Sequence, residues 1–235
     1  PYTTLFRSAL FMNHKFIPTL TFILLVSYTV ILCMGNGYTC DESNILSIID
    51  RQLFGEAHLY QKSPIDPEGF VSTLSAIAHT CIGFSCGKWI IQSHQTENKV
   101  LRLFLTGFIL MSIGYLLADA LPLNKRIWSP TFVLVTCGAA SMSLATLMYY
   151  IDIRNKQKWC RFFIIFGVNP LFLYVLSEVL AIMMGSTGWK AAAYAAIHSG
   201  ITDAYLASAV YALVFTLFLG CIGYPLYLKK IYIKL

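Results

Sequence analysis

The chain has 235 residues, of which 57% are hydrophobic and only 12% are charged, and its formal net charge at pH 7 is +6. This composition excludes an ordinary soluble domain and indicates an integral membrane protein. The positive charge does not indicate a nucleic-acid-binding protein, because no polar segment carries a basic stripe interleaved with aromatic residues.

The first eight residues do not read as part of a fold. Pro1–Ser8 (PYTTLFRS) resembles the conceptual translation of a common sequencing adapter, and segments of that kind are left out of fold reasoning. We therefore expect residues 1–8 to be an artefact and the natural protein to begin further upstream. Residues 9–235 are then predicted to form the C-terminal part of a single membrane-embedded domain.

Six apolar stretches are long enough to cross a bilayer, which requires about 20 residues each. Their length and continuous apolarity favour helices over the short alternating segments of a β-barrel. The predicted fold is an all-α polytopic membrane bundle with about six transmembrane helices. The stretches are approximately Phe16–Met34, Gly69–Ile91, Val100–Ala120, Ser129–Ile151, Phe162–Met184 and Ala204–Leu228.

The distribution of Lys and Arg predicts the orientation of these spans. The N-terminal end, the second and fourth loops and the C-terminal tail hold 12 of the 17 basic residues, and the alternate loops hold the other 5. Because cytoplasmic loops carry the basic excess, both ends of this chain are expected in the cytoplasm. The first loop, about residues 35–68, then faces outward. The basic residues also attract anionic lipid, so the bilayer is the first predicted partner.

The first loop contains the densest set of ionisable side chains in the chain. A polar loop held between two spans is a frequent location for binding and catalytic residues, although a solvated connector is the simpler alternative. An Asp50–Arg51 surface pair, or capping of a helix that begins at Gly69, would also account for the carboxylates. The candidate substrate-binding residues of this loop are Asp50, Arg51, Glu56, His58, Asp66 and Glu68.

Polar residues inside the predicted spans are a second set of candidates. His79 lies about ten residues into its span, roughly 15 Å deep at 1.5 Å per residue, and shares a helix face with Ser75. An ionisable group at that depth is a functional candidate, and a neutral His bonded to a neighbouring helix is the alternative. Pro170 predicts a kink at Asn169. Glu178, nine residues further along, falls on the opposite side of an ideal helix and near the outer water.

Five segments resemble the transmembrane acyltransferase family that includes heparan-α-glucosaminide N-acetyltransferase, particularly its bacterial relatives. They occur in the family's order, with gaps the size of a span, from about Thr19 to the C-terminus. Any one of them is a weak signal, and the five in register are a strong one. The segments are IIDRQLFGEAHLY (48–60), DPEGFVSTLSAI (66–77), GFSCGK (83–88), LPLNKRIWSPTFVL (121–134) and FGVNPLFLYVLSEV (166–179).

The resemblance implies a membrane-bound enzyme that moves an acetyl group from cytoplasmic acetyl-CoA to an amino sugar on the other side of the membrane. For a bacterial member this is the cytoplasmic membrane. Acetyl-CoA is the implied donor, no metal is implied, and a homo-oligomer is compatible with the sequence. The family's catalytic His lies in a segment upstream of the residues present, so the catalytic residue is unassigned and this fragment is expected to be inactive alone.

Acyl transfer to an amine requires a base for the amine's proton and donors for the developing oxyanion. The carboxylates of the first loop suit a sugar's hydroxyls or its ammonium group, and His58 adds an imidazole that can donate or accept a hydrogen bond. Asn124, Lys125 and Trp128, on the next outward loop, add hydrogen bonds and a stacking surface.

Two alternatives are a small-solute transporter and a non-catalytic membrane scaffold. In the transporter, the path would be lined by His79, Asn169 and Glu178. Transporters often contain internal repeats and paired broken helices. This sequence has one Pro-interrupted span and no evident repeat, which favours the enzyme.

Overall fold

The computed structural model describes residues 14–60, 63–93, 95–201 and 203–233. Every regular element in these ranges is helical, which confirms the predicted all-α fold. A 3₁₀-helix covers Glu56–His58, and a π-helix covers Tyr149–Ile153. The adapter-like residues 1–8 lie outside the described residues. The α-helices are α1 (Ile17–Met34), α2 (Ile45–Phe54), α3 (Thr73–Gln92), α4 (Thr96–Leu116), α5 (Pro130–Met148), α6 (Cys160–Val168), α7 (Pro170–Ser186), α8 (Trp189–His198) and α9 (Ala204–Leu228).

Several of these helices are long and apolar enough to cross a membrane. They are α1, α3, α4, α5 with its π-helical extension, and α9, and α6 with α7 makes a sixth if the bent pair is one span. The prediction of about six spans in a multi-pass membrane protein is confirmed. The helix bounds differ by a few residues from the predicted ones. In particular, α3 begins at Thr73 rather than Gly69.

The predicted fifth span is broken. The axes of α6 and α7 differ by 81°, and Asn169 between them has φ −133° and ψ 58°, outside the helical region. Pro170 supplies no backbone N–H and disfavours helix at the residue before it. The Asn169 amide donates to the Ile231 carbonyl at 2.8 Å and accepts from the Ile233 N–H at 2.8 Å. The predicted kink is therefore a sharp break that the C-terminal segment stabilises.

The chain divides into two compact units, of which the first ends at Asn155 and the second begins at Lys156. In the first unit, α4 and α5 pack closely at two glycines, where a Cβ added to Gly107 would lie 2.7 Å from the Gly138 carbonyl oxygen. Small residues of this kind let two membrane helices approach each other. In the second unit, a Cβ added to Gly220 of α9 would lie 3.1 Å from the ring of Phe166 on α6.

The first loop folds over the end of α1 and carries α2. Asn44 is fully buried, and its side-chain oxygen caps α2 by accepting from the Leu46 N–H at 2.9 Å. Its amide nitrogen donates to the Gly37 and Thr39 carbonyls, both at 2.8 Å. Because all these groups are satisfied, Asn44 fixes α2 against the chain that leaves α1. A hydrophobic cluster lies beneath, formed by Tyr28, Leu32, Leu46, Ile65, Val71 and Ile127.

Candidate functional site

Asp50 of α2 faces the interior and is only 1% exposed. Its Oδ1 accepts from the Phe70 N–H at 2.9 Å, whereas its Oδ2 is buried and has no hydrogen-bond partner among the described residues. Burial raises the pKa of the Asp50 carboxyl; the Phe70 hydrogen bond opposes this shift and the negative charge of Asp66 adds to it. A buried carboxyl oxygen of this kind, with a perturbed pKa, is a candidate for binding or proton transfer.

Two tyrosines lie near Asp50. The Tyr28 hydroxyl, from α1, donates to the Ile127 carbonyl, and the ring is within electrostatic reach of both Tyr38 and Asp50. The Tyr38 hydroxyl is buried and unpartnered among the described residues. Burial raises the pKa of Tyr38 to about 12, so this group is a neutral hydroxyl at physiological pH and is available as a hydrogen-bond donor.

His79 and Trp128 form an aromatic pair with ring centroids 5.8 Å apart. Within the described ranges, neither His79 Nδ1 nor Trp128 Nε1 has a hydrogen-bond partner, although both atoms are buried. Trp128 has φ 53°, a backbone conformation that is strained for a bulky residue and that occurs preferentially at functional sites. Trp128 follows Ile127, whose carbonyl holds Tyr28. Trp128 is therefore next in sequence to a residue of the hydrophobic cluster beneath the first loop.

Two serines extend these two groups. Ser47 and Ser75 are at most 1% exposed, and their hydroxyls have no partner in the described part of the chain. Ser47 shares a face of α2 with Asp50, and Ser75 shares a face of α3 with His79. Together these side chains form what we call the buried polar cluster. Its members are Tyr28, Tyr38, Ser47, Asp50, Ser75, His79 and Trp128.

The position of His79 differs from the depth expected from the sequence. Because α3 begins at Thr73, His79 lies about 9 Å along the helix rather than roughly 15 Å. This places its ring near the end of α3 that carries the first loop. The imidazole is therefore closer to the loop residues than the predicted midplane position would allow.

The other charged side chains of α2 and the following turn lie at the surface. Arg51 pairs with Glu42 at 3.0 Å and with Glu56 at 3.2 Å, and the hydrogen bond that Arg51 donates to Glu42 is the main cause of a raised Arg51 pKa. The alternative of an Asp50–Arg51 surface pair is wrong, because Asp50 is buried and the partners of Arg51 are Glu42 and Glu56. His58 is exposed, and its Nδ1 lies 2.8 Å from the Phe54 carbonyl oxygen.

Asp66 organises the turn that leads into α3. Its two carboxyl oxygens accept from the backbone N–H groups of Glu68 at 2.9 Å and Tyr60 at 3.2 Å. Glu68 itself is exposed. A turn at this position was expected, and α3 begins four residues after Gly69 rather than at it.

The remaining candidates are separated from the cluster or lie in the second unit. Asn124 accepts from the Arg126 N–H at 2.9 Å, and Lys125 is exposed. Of the three candidates on that loop, Trp128 alone enters the cluster. In the second unit, Asn169 holds the break between α6 and α7, and Glu178 is exposed on α7.

Four members of the cluster, Tyr28, Tyr38, Ser47 and Ser75, were not recognised as candidates from the sequence, although Ser75 was placed on the helix face of His79. Tyr28 stands in an apolar run where it reads as a lipid-facing or core residue. The one signal that could have identified Ser47 is its spacing of three residues from Asp50, which puts the two side chains on the same face of a helix. Metal binding has no support in the described ranges, where no group of three or more His, Cys, Asp or Glu side chains is placed to hold an ion.

No family model matches this chain. It is 27% identical over 204 residues to heparan-alpha-glucosaminide N-acetyltransferase of Mus musculus and 28% identical over 204 residues to the protein of the same name of Homo sapiens. Each match covers 80% of this chain but only 30% or 29% of the relative. The chain therefore spans less than a third of the length of these relatives. It is a distant relative of heparan-alpha-glucosaminide N-acetyltransferase, as the five segments indicated.

Proposed function

We propose that this chain is part of a membrane acetyltransferase that transfers an acetyl group from cytoplasmic acetyl-CoA to the amine of an amino sugar on the opposite side of the membrane. The observation that carries the proposal is the buried polar cluster, which presents unpartnered donors and acceptors at one end of a bundle of apolar helices. The distant relationship to two N-acetyltransferases supports the reaction type.

Overall, a C–N bond forms between the amine nitrogen and the acetyl carbon, the thioester C–S bond breaks, and CoA leaves as the thiol after taking up the proton that the amine loses. The amine must lose a proton, and a carboxyl group with a raised pKa is better matched to that transfer than an ordinary one. We assign this role to Asp50. We assign the indole N–H of Trp128 as a donor to the carbonyl oxygen as negative charge develops there, and we assign its ring neighbour His79 as a second hydrogen-bonding partner.

The exposed candidates fit a peripheral role in this proposal. They lie on the first loop and the loop before α5, and their polar groups suit the hydroxyls of a sugar. Exposed or partly exposed groups contribute less binding energy than buried ones, so we assign them acceptor selection rather than the chemical step. The exposed residues are Glu56, His58, Glu68 and Lys125, and the partly exposed ones are Arg51, Asp66 and Asn124.

Activity is tested with the full-length protein in membranes, supplied with acetyl-CoA labelled in the acetyl group and a panel of amino sugars. We expect an N-acetylated product, and we expect Asp50→Asn and His79→Ala to lower kcat/KM by about 10²- to 10⁴-fold, the range for a lost acid–base group. Matched controls are Glu97→Gln and His198→Ala, which alter exposed residues of the same types and should retain activity within about twofold.

Absence of product across the panel would reject the assignment. Full activity of Asp50→Asn would reject the role given to the cluster. If a solute moved across the membrane without being acetylated, the transporter alternative would replace the enzyme. A protein inert in both assays would correspond to the scaffold.

We also propose that the first loop lies outside a bacterial cytoplasmic membrane, with both ends of the chain inside, on the support of the Lys and Arg distribution. Cys40 is an exposed free thiol on that loop. A membrane-impermeant maleimide should therefore label the protein in intact cells, and Cys40→Ser should remove that labelling. Labelling of Cys40 only after the membrane is permeabilised would place the loop in the cytoplasm.

A further inference from the structure

An apolar cavity of about 470 Å³ lies among α1, α3, α4 and α5. None of the side chains of the buried polar cluster lines it. The cavity begins at Pro18 and Trp89, at the ends of α1 and α3 away from the first loop, and reaches Thr131 at the start of α5. The walls between are formed mainly by Phe22, Val26, Ile82, Leu110, Ile113 and Leu134.

The cavity presents few free hydrogen-bonding groups to a polar ligand. Three of its lining hydroxyls are already bonded within their own helices: Thr21 donates to the Ile17 carbonyl at 2.9 Å, Thr29 to that of Leu25 at 2.7 Å and Ser85 to that of Cys81 at 2.9 Å. A polar group that entered would lose its hydrogen bonds to water without replacement. The occupant must therefore be apolar over most of its length.

The cavity opens sideways, toward the surface that faces hydrocarbon in a membrane. Phe22 is 68% exposed, Val26 44% and Ile113 42%, although all three line the cavity wall. An engineered cavity of about 150 Å³ holds a benzene molecule. At six carbons per 150 Å³, as for benzene, a cavity of about 470 Å³ accommodates an alkyl chain of roughly 18 carbons.

A cationic group stands at one end of the cavity. Pro18, Ser85 and Trp89 also line a smaller hollow of about 50 Å³, which Lys88 and Gln92 complete. The Lys88 ammonium makes no ion pair with the carboxylates of the described residues. Lys and Trp side chains at the end of a membrane helix lie at the level of the lipid head groups, where the ammonium attracts anionic lipid.

We propose that this cavity is a phospholipid site that takes one acyl chain of an anionic lipid, with the lipid phosphate at Lys88. The apolar walls select a hydrocarbon chain, the lateral opening admits it from the bilayer, and the charge of Lys88 complements the phosphate. The cavity and the buried polar cluster share no side chain, although Lys88 also lines a second hollow together with His79.

The test is native mass spectrometry of the 235-residue chain released from nanodiscs that contain equal amounts of phosphatidylglycerol and phosphatidylcholine. We expect preferential retention of one phosphatidylglycerol. Lys88→Gln should lower that retention about fivefold, the effect of one basic side chain near an anionic lipid surface. Lys99→Gln, which removes a charge from the first turn of α4, is the matched control and should leave it unchanged.

A second pair of variants tests the cavity itself. Val26→Phe, which fills part of the cavity, should lower retention of both lipids. Val30→Phe, on the same helix but outside the cavity lining, should not. Melting curves show which variants fold. If Val26→Phe does not fold, the comparison of Lys88→Gln with Lys99→Gln decides whether the lipid site exists.

If Lys88→Gln and Lys99→Gln lowered retention of phosphatidylglycerol equally, the retained lipid would be ordinary boundary lipid and the site would be overturned. Unchanged lipid retention in a folded Val26→Phe variant would also overturn the site. If the oligomeric state of that variant changed as well, the cavity would be a protein interface. Displacement of the lipid by excess acetyl-CoA would assign the cavity to the acyl donor and equally overturn the proposal.

Discussion

Replacing Gly69 by Ala should destabilise the protein by about 1–3 kcal/mol, the usual range for overpacking a filled interior. The added Cβ would lie 2.2 Å from Oδ2 of Asp50, far inside van der Waals contact. The carboxyl cannot simply turn away, because its other oxygen holds the Phe70 N–H. Thermal unfolding in detergent, followed by circular dichroism, measures the change.

The matched control is Gly83→Ala on α3, where an added Cβ meets nothing within 4 Å. Since Ala favours helix over Gly by about 1 kcal/mol, this variant should be as stable as the parent or more so. A double-mutant cycle with Asp50→Ala completes the test. The two changes should couple, because removal of the carboxyl relieves the clash. Strictly additive losses would contradict the close approach of Gly69 to Asp50.

Replacing Gly107 by Val should prevent the first unit from folding correctly. A Cβ at this position would lie 2.7 Å from the Gly138 carbonyl oxygen and 2.9 Å from the Met142 nitrogen. Both are backbone atoms, so no side-chain rotation relieves the contact and α4 and α5 must separate. We expect a loss of about 3 kcal/mol or more, the upper end for overpacking, seen as aggregation in size-exclusion chromatography and a lost melting transition.

Gly87→Val on α3 is the control for the change of side chain itself, because an added Cβ at Gly87 meets nothing within 4 Å and Val is a slightly better helix former than Gly. It should elute as the parent protein does, with a melting temperature close to that of the parent. If Gly107→Val behaved in the same way, the close contact of α4 with α5 would be refuted. Gly138→Val should repeat the effect of Gly107→Val, since its Cβ would lie 2.6 Å from the Gly107 carbonyl oxygen.

The membrane helices could be predicted from the sequence because hydrocarbon thickness sets the length of an apolar run. The helix Ala204–Leu228 agrees with the prediction at both ends, and it starts where the Asp203 side chain accepts from the Leu206 N–H at 2.8 Å. The start of α3 was misplaced, because residues 69–72 are apolar enough to read as helix but form the turn that contacts Asp50.

The break at Asn169 shows the limit of local reasoning. Pro170 alone predicts a kink, since its effect on the backbone is local. The 81° angle between α6 and α7 is accompanied by two hydrogen bonds, one that Asn169 donates to the Ile231 carbonyl and one that it accepts from the Ile233 N–H. Those partners are more than sixty residues away in sequence, and no local pattern shows that they return to this point.

By itself the sequence determined that this is a helical membrane protein, a distant relative of an N-acetyltransferase, with an ionisable first loop. Only the tertiary structure decided which of those ionisable groups are buried. Asp50 and Arg51 are adjacent on α2 and point about 100° apart, so one must face inward and the other outward. The choice depends on the packing of Leu46, on the buried face of α2, against residues from α1 and the distant loops, and such long-range packing leaves no local mark in the chain.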